Sequence, residues 1–149
     1  MPGRRVSPSR NVAKPRARSR APALSPRLID RVVRAVVEGE GRDASIQVTL
    51  LGPARMRQVN LQWKGRDCPT DVLAFSLPLP DKSLFGDVFI CPEVARRQAR
   101  ELGIPEREEL IRLVIHGTLH ALGDAHPEGP GRTRSAMWRR QERYVRALA

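Results

Sequence analysis

The sequence predicts an α+β fold, a small mixed sheet of about four strands covered by helices. Three observations point there. Apolar residues recur at helical spacing in several segments, β-rich or alternating apolar runs lie between those segments, and Gly or Pro marks nearly every junction. The 149 residues suit one domain, and 40% hydrophobic content is enough for one modest core.

Residues 1–25 carry seven of the 27 Lys and Arg and no acid, so they read as a disordered basic tail ahead of a domain spanning 26–149. That leaves 20 basic residues against 16 acidic ones, so most of the net charge of +11 sits in the tail and the domain is mildly basic. A basic balance favours polyanionic partners. The first helix is signalled by Ser25 as N-cap, Pro26 at the first turn, and Leu28, Ile29, Val32, Val33, Val36 and Val37 at helical spacing. Ile46, Val48 and Leu50 alternate with Gln47 and Thr49, a half-buried strand closed by Gly52-Pro53. A short helix is expected over 54–62, then a polar loop over 64–69, then strands over 72–77 and 84–90. Residues 93–102 read as a helix stopped by Gly103. Pro105 opens a longer one through Leu122, stopped by Gly123, and Thr133 is placed to cap a last helix reaching Leu148.

Composition excludes several classes. Two cysteines, Cys68 and Cys91, are too few for a disulfide scaffold and too far apart for a zinc knuckle, which suits a reducing cytoplasm. Cys68 reads as an inert loop residue and Cys91 as ordinary packing. No run approaches the roughly 18 apolar residues of a spanning helix, and no apolar stretch follows the N-terminal arginines, so a soluble, cytoplasmic protein without membrane partners is expected.

The strongest chemical signal is the histidine distribution. All three histidines, His116, His120 and His126, fall within HGTLHALGDAH. His116 and His120 are four apart on the expected helix, so both imidazoles leave one face a turn apart, a spacing that lets two nitrogens reach one ion. Gly123 can turn the chain so that His126 returns to the same ion, giving three nitrogen ligands and an open fourth position for water or a substrate oxygen. Zinc suits such a set, and nickel or another divalent ion would also fit. The spacing equals that of metzincin proteases, but Gly117 stands where those enzymes carry their Glu general base, which argues against a protease.

These residues resemble the YbeY endoribonuclease family of rRNA maturation factors. His116-Gly117-Thr118-Leu119-His120 with Gly123 and His126 match the family's H-G-x-L-H-x-x-G-x-x-H segment. Asn60, followed by Pro69-Thr70-Asp71-Val72-Leu73-Ala74-Phe75, is similar to its asparagine and PT(N/D)VLSF segment. Gly86-Asp87-Val88-Phe89-Ile90 and Glu93-Val94-Ala95 match its next two segments, and Met137 with Gln141-Glu142 its M…QE helix. The likeness spans nearly all of 28–149. Three departures stand out: Asp124 lies one place earlier than the acid usually found before the third histidine, Lys64 replaces a usual Arg, and Ala74 replaces a usual Ser.

The resemblance implies a single-strand-specific, metal-dependent endoribonuclease acting at the 3′ end of small-subunit rRNA and in ribosome quality control. It implies one zinc ion on His116, His120 and His126, and partners among the small subunit, a ribosomal protein and a ribosome-assembly GTPase. Lys64 or Arg66 would grip the phosphate, though lysine lacks arginine's bidentate fork. With His116 these form the expected catalytic set. Asp124 and Glu128 are the nearest acids for a general base, with loop or ligand-orienting roles as the alternative. The competing class is a non-catalytic assembly or RNA-binding factor with a structural zinc site. Asp71 and Asp87 read equally as histidine-orienting acids or turn residues. Met137 reads equally as an apolar floor for the metal or as helix packing. Trp63, Trp138 and Tyr144 are too scattered along the chain for a base-stacking platform and read as core or surface packing.

Overall fold

The computed structural model describes residues 24–124 and 135–149. Helix α1 (Pro26–Gly39) begins as its sequence dictates: Ser25 has extended backbone and its Oγ accepts from the Leu28 amide at 3.2 Å, with Pro26 in the first turn. Leu24, assigned to the basic tail by composition, is only 1% exposed and belongs to the main core. Residues 1–23 and 125–134, including His126, Glu128 and Thr133, lie outside the described residues.

Strand β1 (Ala44–Leu50) leads into α2 (Pro53–Lys64), and β2 (Val72–Pro78) and β3 (Leu84–Ile90) follow. The sheet order is β1-β3-β2, with β1 parallel and β2 antiparallel to β3. About four strands were expected; three form among the described residues. These are the three segments with strand-like apolar runs, the other apolar stretches there having helical spacing. Helices α3 (Pro92–Leu102), α4 (Glu106–Ala121) and α5 (Ala136–Leu148) complete the element order. α5 starts from Ser135, whose Oγ accepts from the Trp138 amide at 3.1 Å. Ser135 therefore takes the capping role expected of Thr133.

Register divides the sheet into two faces, because alternate residues point to opposite sides. Ile46 pairs with Gly86, Val48 with Val88 and Ala74 with Val88, placing these on the face that packs under α4. Leu73 pairs with Phe89, Phe75 with Asp87 and Leu77 with Phe85 on the opposite face. There α2 covers part of the sheet, burying Met56, Leu73 and Cys91 in a second, smaller cluster. Cys91 thus packs as expected, and Met137 lies in the main core.

Helix α4 is the axis of the fold. Leu110, Ile111, Val114, Ile115 and Leu119 are all buried, and the helix touches α1, α3, α5 and every strand. An apolar circumference of this kind requires neighbours on all sides. Near its start Arg112 gathers three carboxylates: Glu108 and Glu109 at 3.0 Å each and Glu142 of α5 at 2.8 Å. Glu109 is only 4% exposed. Its carboxyl is held above its ordinary value because desolvation outweighs the hydrogen bond and charge of Arg112.

A carboxyl raised on folding binds protons more readily in the native state. Its contribution to stability therefore falls as pH rises through the unfolded value, 4.5, towards the raised native one, and is flat above. Glu109→Gln keeps an oxygen for Arg112 but cannot titrate. The expected result is that the melting temperature of wild type, relative to Glu109→Gln, rises on acidification through that window. A constant difference across pH 4 to 8 would show that Glu109 does not titrate abnormally.

Candidate metal centre

His116 sits in the last two turns of α4 and is 7% exposed. Its Nδ1 lies 2.6 Å from Oε1 of Gln141 on α5. An amide oxygen only accepts, so Nδ1 carries the proton and the lone pair is set at Nε2. His120 follows one turn later with ring centroids 4.6 Å apart and the rings inclined at 66°. α4 then closes in a Schellman turn: the Asp124 amide donates to the Leu119 carbonyl at 3.0 Å and that of Gly123 to the His120 carbonyl at 2.9 Å. Gly123 has φ 101°, which favours a residue without Cβ.

Both imidazoles border a cleft of about 340 Å³ whose other walls include Asn60, Lys64, Arg66, Thr70 and Asp71. The fold thus brings four of the five expected site residues, His116, His120, Lys64 and Arg66, to one cavity. The fifth, His126, is outside the described residues. No group of three His, Cys, Asp or Glu side chains suited to a metal forms among the described residues. The donor chemistry nevertheless fits a divalent ion of zinc type: two imidazoles a turn apart, one already oriented through its Nδ1 by Gln141.

The loop carrying the cations is held from below. Asn60 is 2% exposed and its Nδ2 donates to the Cys68 carbonyl at 2.8 Å, while its own carbonyl accepts from the Arg66 amide at 3.3 Å. Arg57 grips Asp67 with two hydrogen bonds, 2.6 and 3.0 Å, and the first of these influences holds the Asp67 carboxyl below its ordinary value. Lys64, the last residue of α2, and Arg66 on this braced loop are exposed, and among the described residues neither pairs with a carboxylate. Both side chains are accessible to an anion entering the cleft.

The acids take places that sequence left open. Asp71 accepts from the Val72 amide at 2.8 Å and from Gln98 Nε2 at 3.2 Å, so it braces the entry to β2. Asp87 lies across the sheet, on the face away from the histidines. Asp124 is ion-paired with Arg140 at 3.0 Å, which ties the α4 turn to α5. Gln141 is the residue sequence reasoning missed as a partner of His116. Its place in the QE pair was visible, but its bond to a histidine 25 residues away depends on how α5 packs against α4.

Comparison with known proteins places the chain among relatives. The model of the family described as Endoribonuclease YbeY matches residues 17–149. The chain is 39% identical over 111 residues to an Endoribonuclease YbeY of Persephonella marina, covering 70% of this chain and 71% of that one. It is 40% identical over 136 residues to that of Anaeromyxobacter sp., covering 89% and 67%. A solution structure from Thermotoga maritima superposes with a TM-score of 0.59 at 31% identity, covering 80% of this chain and 78% of the other. A family model spanning most of the chain, together with relatives this similar, means that the chain belongs to the endoribonuclease YbeY family.

Proposed function

We propose that this chain is a metal-dependent, single-strand-specific endoribonuclease that matures the 3′ end of small-subunit rRNA in the cytoplasm. In this reading His116, His120 and His126 hold one zinc ion. Lys64 and Arg66 bind the scissile phosphate, and a ribosomal protein and an assembly GTPase direct the enzyme to its substrate. The supporting observation is the shared cleft: an imidazole oriented by Gln141 and two exposed cations border the same cavity. No helix among the described residues is long and apolar enough to cross a membrane.

The chemistry divides between the ion and the chain. Zinc bound here would supply a Lewis acid towards a phosphoryl oxygen or water. The chain's own residues do the rest. Gln141 fixes the His116 tautomer and ring orientation, as hydrogen-bonded partners of metal-binding histidines do. The Asn60 and Arg57 contacts hold the 64–69 loop so that Lys64 and Arg66 meet the phosphate preorganised, offsetting charge that builds in the transition state. Lysine acts there as a point charge, and Arg66 offers the planar fork.

The direct test incubates the full chain and zinc with a single-stranded oligonucleotide carrying the small-subunit 3′ precursor sequence, the same oligonucleotide duplexed, and a chelator control. Cutting of the single strand alone, abolished by chelation, is expected. Bound zinc without cutting would instead assign the chain to the non-catalytic assembly factors. A finer prediction concerns Gln141. Gln141→Leu leaves the His116 Nδ1–H unpartnered and is expected to lower zinc affinity or cleavage roughly 10- to 100-fold. Gln141→Glu, which retains an acceptor, is expected to keep most of both. Equal affinities in a competitive zinc titration of all three proteins would remove the orienting role.

A further inference from the structure

The face of the sheet turned away from α4 carries an aromatic groove that the cleavage chemistry does not use. Phe75 and Phe85 with Phe89 and Leu77 come from β2 and β3, and Trp63 comes from the last turn of α2. Trp63 stands 5.7 Å from Phe75, and Phe75 stands 6.1 Å from Phe89, centroid to centroid. Trp63 is 63% exposed, an unusual situation for the largest apolar side chain. The groove encloses about 290 Å³, near the lower end of the roughly 300–1,000 Å³ usual for small-molecule sites. Residues scattered along the sequence are therefore gathered by the strand register, and Trp63 packs at the surface against Phe75.

We infer that this groove is a stacking subsite for one base of the single-stranded RNA, with Trp63 as its platform; the inference rests on the endoribonuclease reading above. Three observations favour a base as the occupant. Lys64, the residue after Trp63, borders the histidine cleft, and its Nζ lies 5.6 Å from the centroid of Phe75, which lines the groove, so Lys64 stands between the two. A strand with its phosphate at Lys64 has an adjacent base within reach of the aromatic surface. Asp87 contributes the groove's carboxylate, which repels a phosphate but accepts from the amino or ring N–H of a base. Exposed aromatic faces beside cations are also the general means of holding unpaired bases, because every base has a π-face.

The test uses the full chain and a fluorescein-labelled single-stranded RNA read by anisotropy across a salt series, with cleavage kinetics in parallel. Trp63→Ala is expected to weaken binding about tenfold, within the range known for removing one base–aromatic stack. It should leave the slope of log affinity against log salt unchanged, because no phosphate contact is lost. KM should rise with kcat held, and Trp63→Phe should restore most of the affinity. Exposure of Trp63 makes the variant safe for folding. A substrate scanned with single abasic nucleotides should show one position where wild type loses the same factor and Trp63→Ala loses nothing further. Wild-type binding and cleavage by Trp63→Ala would overturn the subsite alone and leave the groove to a protein partner. A wild type that neither binds nor cuts RNA would overturn the endoribonuclease reading and the subsite with it.

Discussion

Replacing His116 with alanine is expected to lower RNA cleavage by at least about a thousandfold and to remove most of the bound metal, while the chain still folds. Loss of a Lewis acid that supplies several kcal/mol at the transition state corresponds to about a factor of ten per 1.36 kcal/mol. His116 is buried and bonded to Gln141, so the substitution also strands an amide oxygen, which costs about 1–3 kcal/mol of stability. A companion variant separates the two effects. His120 is less buried than His116, so His120→Ala should disturb the core less while removing a ligand from the same cleft. Elemental analysis, circular dichroism and cleavage of the single-stranded precursor would be measured on all three proteins. Full activity in a folded, metal-free variant would eliminate the metal mechanism.

Local signals in the sequence carried much of this molecule. Ser25 and Pro26 announce α1, the alternation of Ile46, Val48 and Leu50 announces β1, and the four-residue spacing of His116 and His120 places both on one helical face. Each of these features is decided within a turn or two of chain. What stayed hidden depends on tertiary packing. Gln141 reaches His116 only because α5 lies along α4, and Asp124 meets Arg140 only because the same packing brings the two together. The aromatic groove requires the pairing of Phe75 with Asp87 and of Leu77 with Phe85, a register that no short window of sequence specifies. The start of α5 is ambiguous for a simpler reason: Thr133 and Ser135 are both competent caps two residues apart. The described strands number three rather than about four because only three apolar runs have a strand-like pattern.

Gly117 carries the second large effect, and it explains why a metzincin-like spacing does not make a metzincin. At this position α4 lies directly on the sheet. A Cβ there would collide with Cγ1 of Val88 and come within 3.2 Å of Cγ2 of Val72. Val88 is fully buried and has no space to yield. Two effects oppose each other in Gly117→Ala: alanine gains about 1 kcal/mol of helix propensity, while overpacking a core costs about 1–3 kcal/mol. The contact is closer than real Cβ atoms tolerate, so overpacking should prevail, with a net loss of about 1–2 kcal/mol and a melting temperature lower by roughly 2–8 °C. Gly117→Glu, the residue a protease would need, adds a carboxylate among valines and is expected to prevent folding. Val88→Ala should recover part of the loss when combined with Gly117→Ala, because it removes the colliding methyl. A double-mutant cycle would then show a coupling of at least about 0.5 kcal/mol. A rise in melting temperature for Gly117→Ala alone would mean that α4 does not rest on Val88, and that a helix–sheet contact this tight is not what keeps a glutamate out of the site.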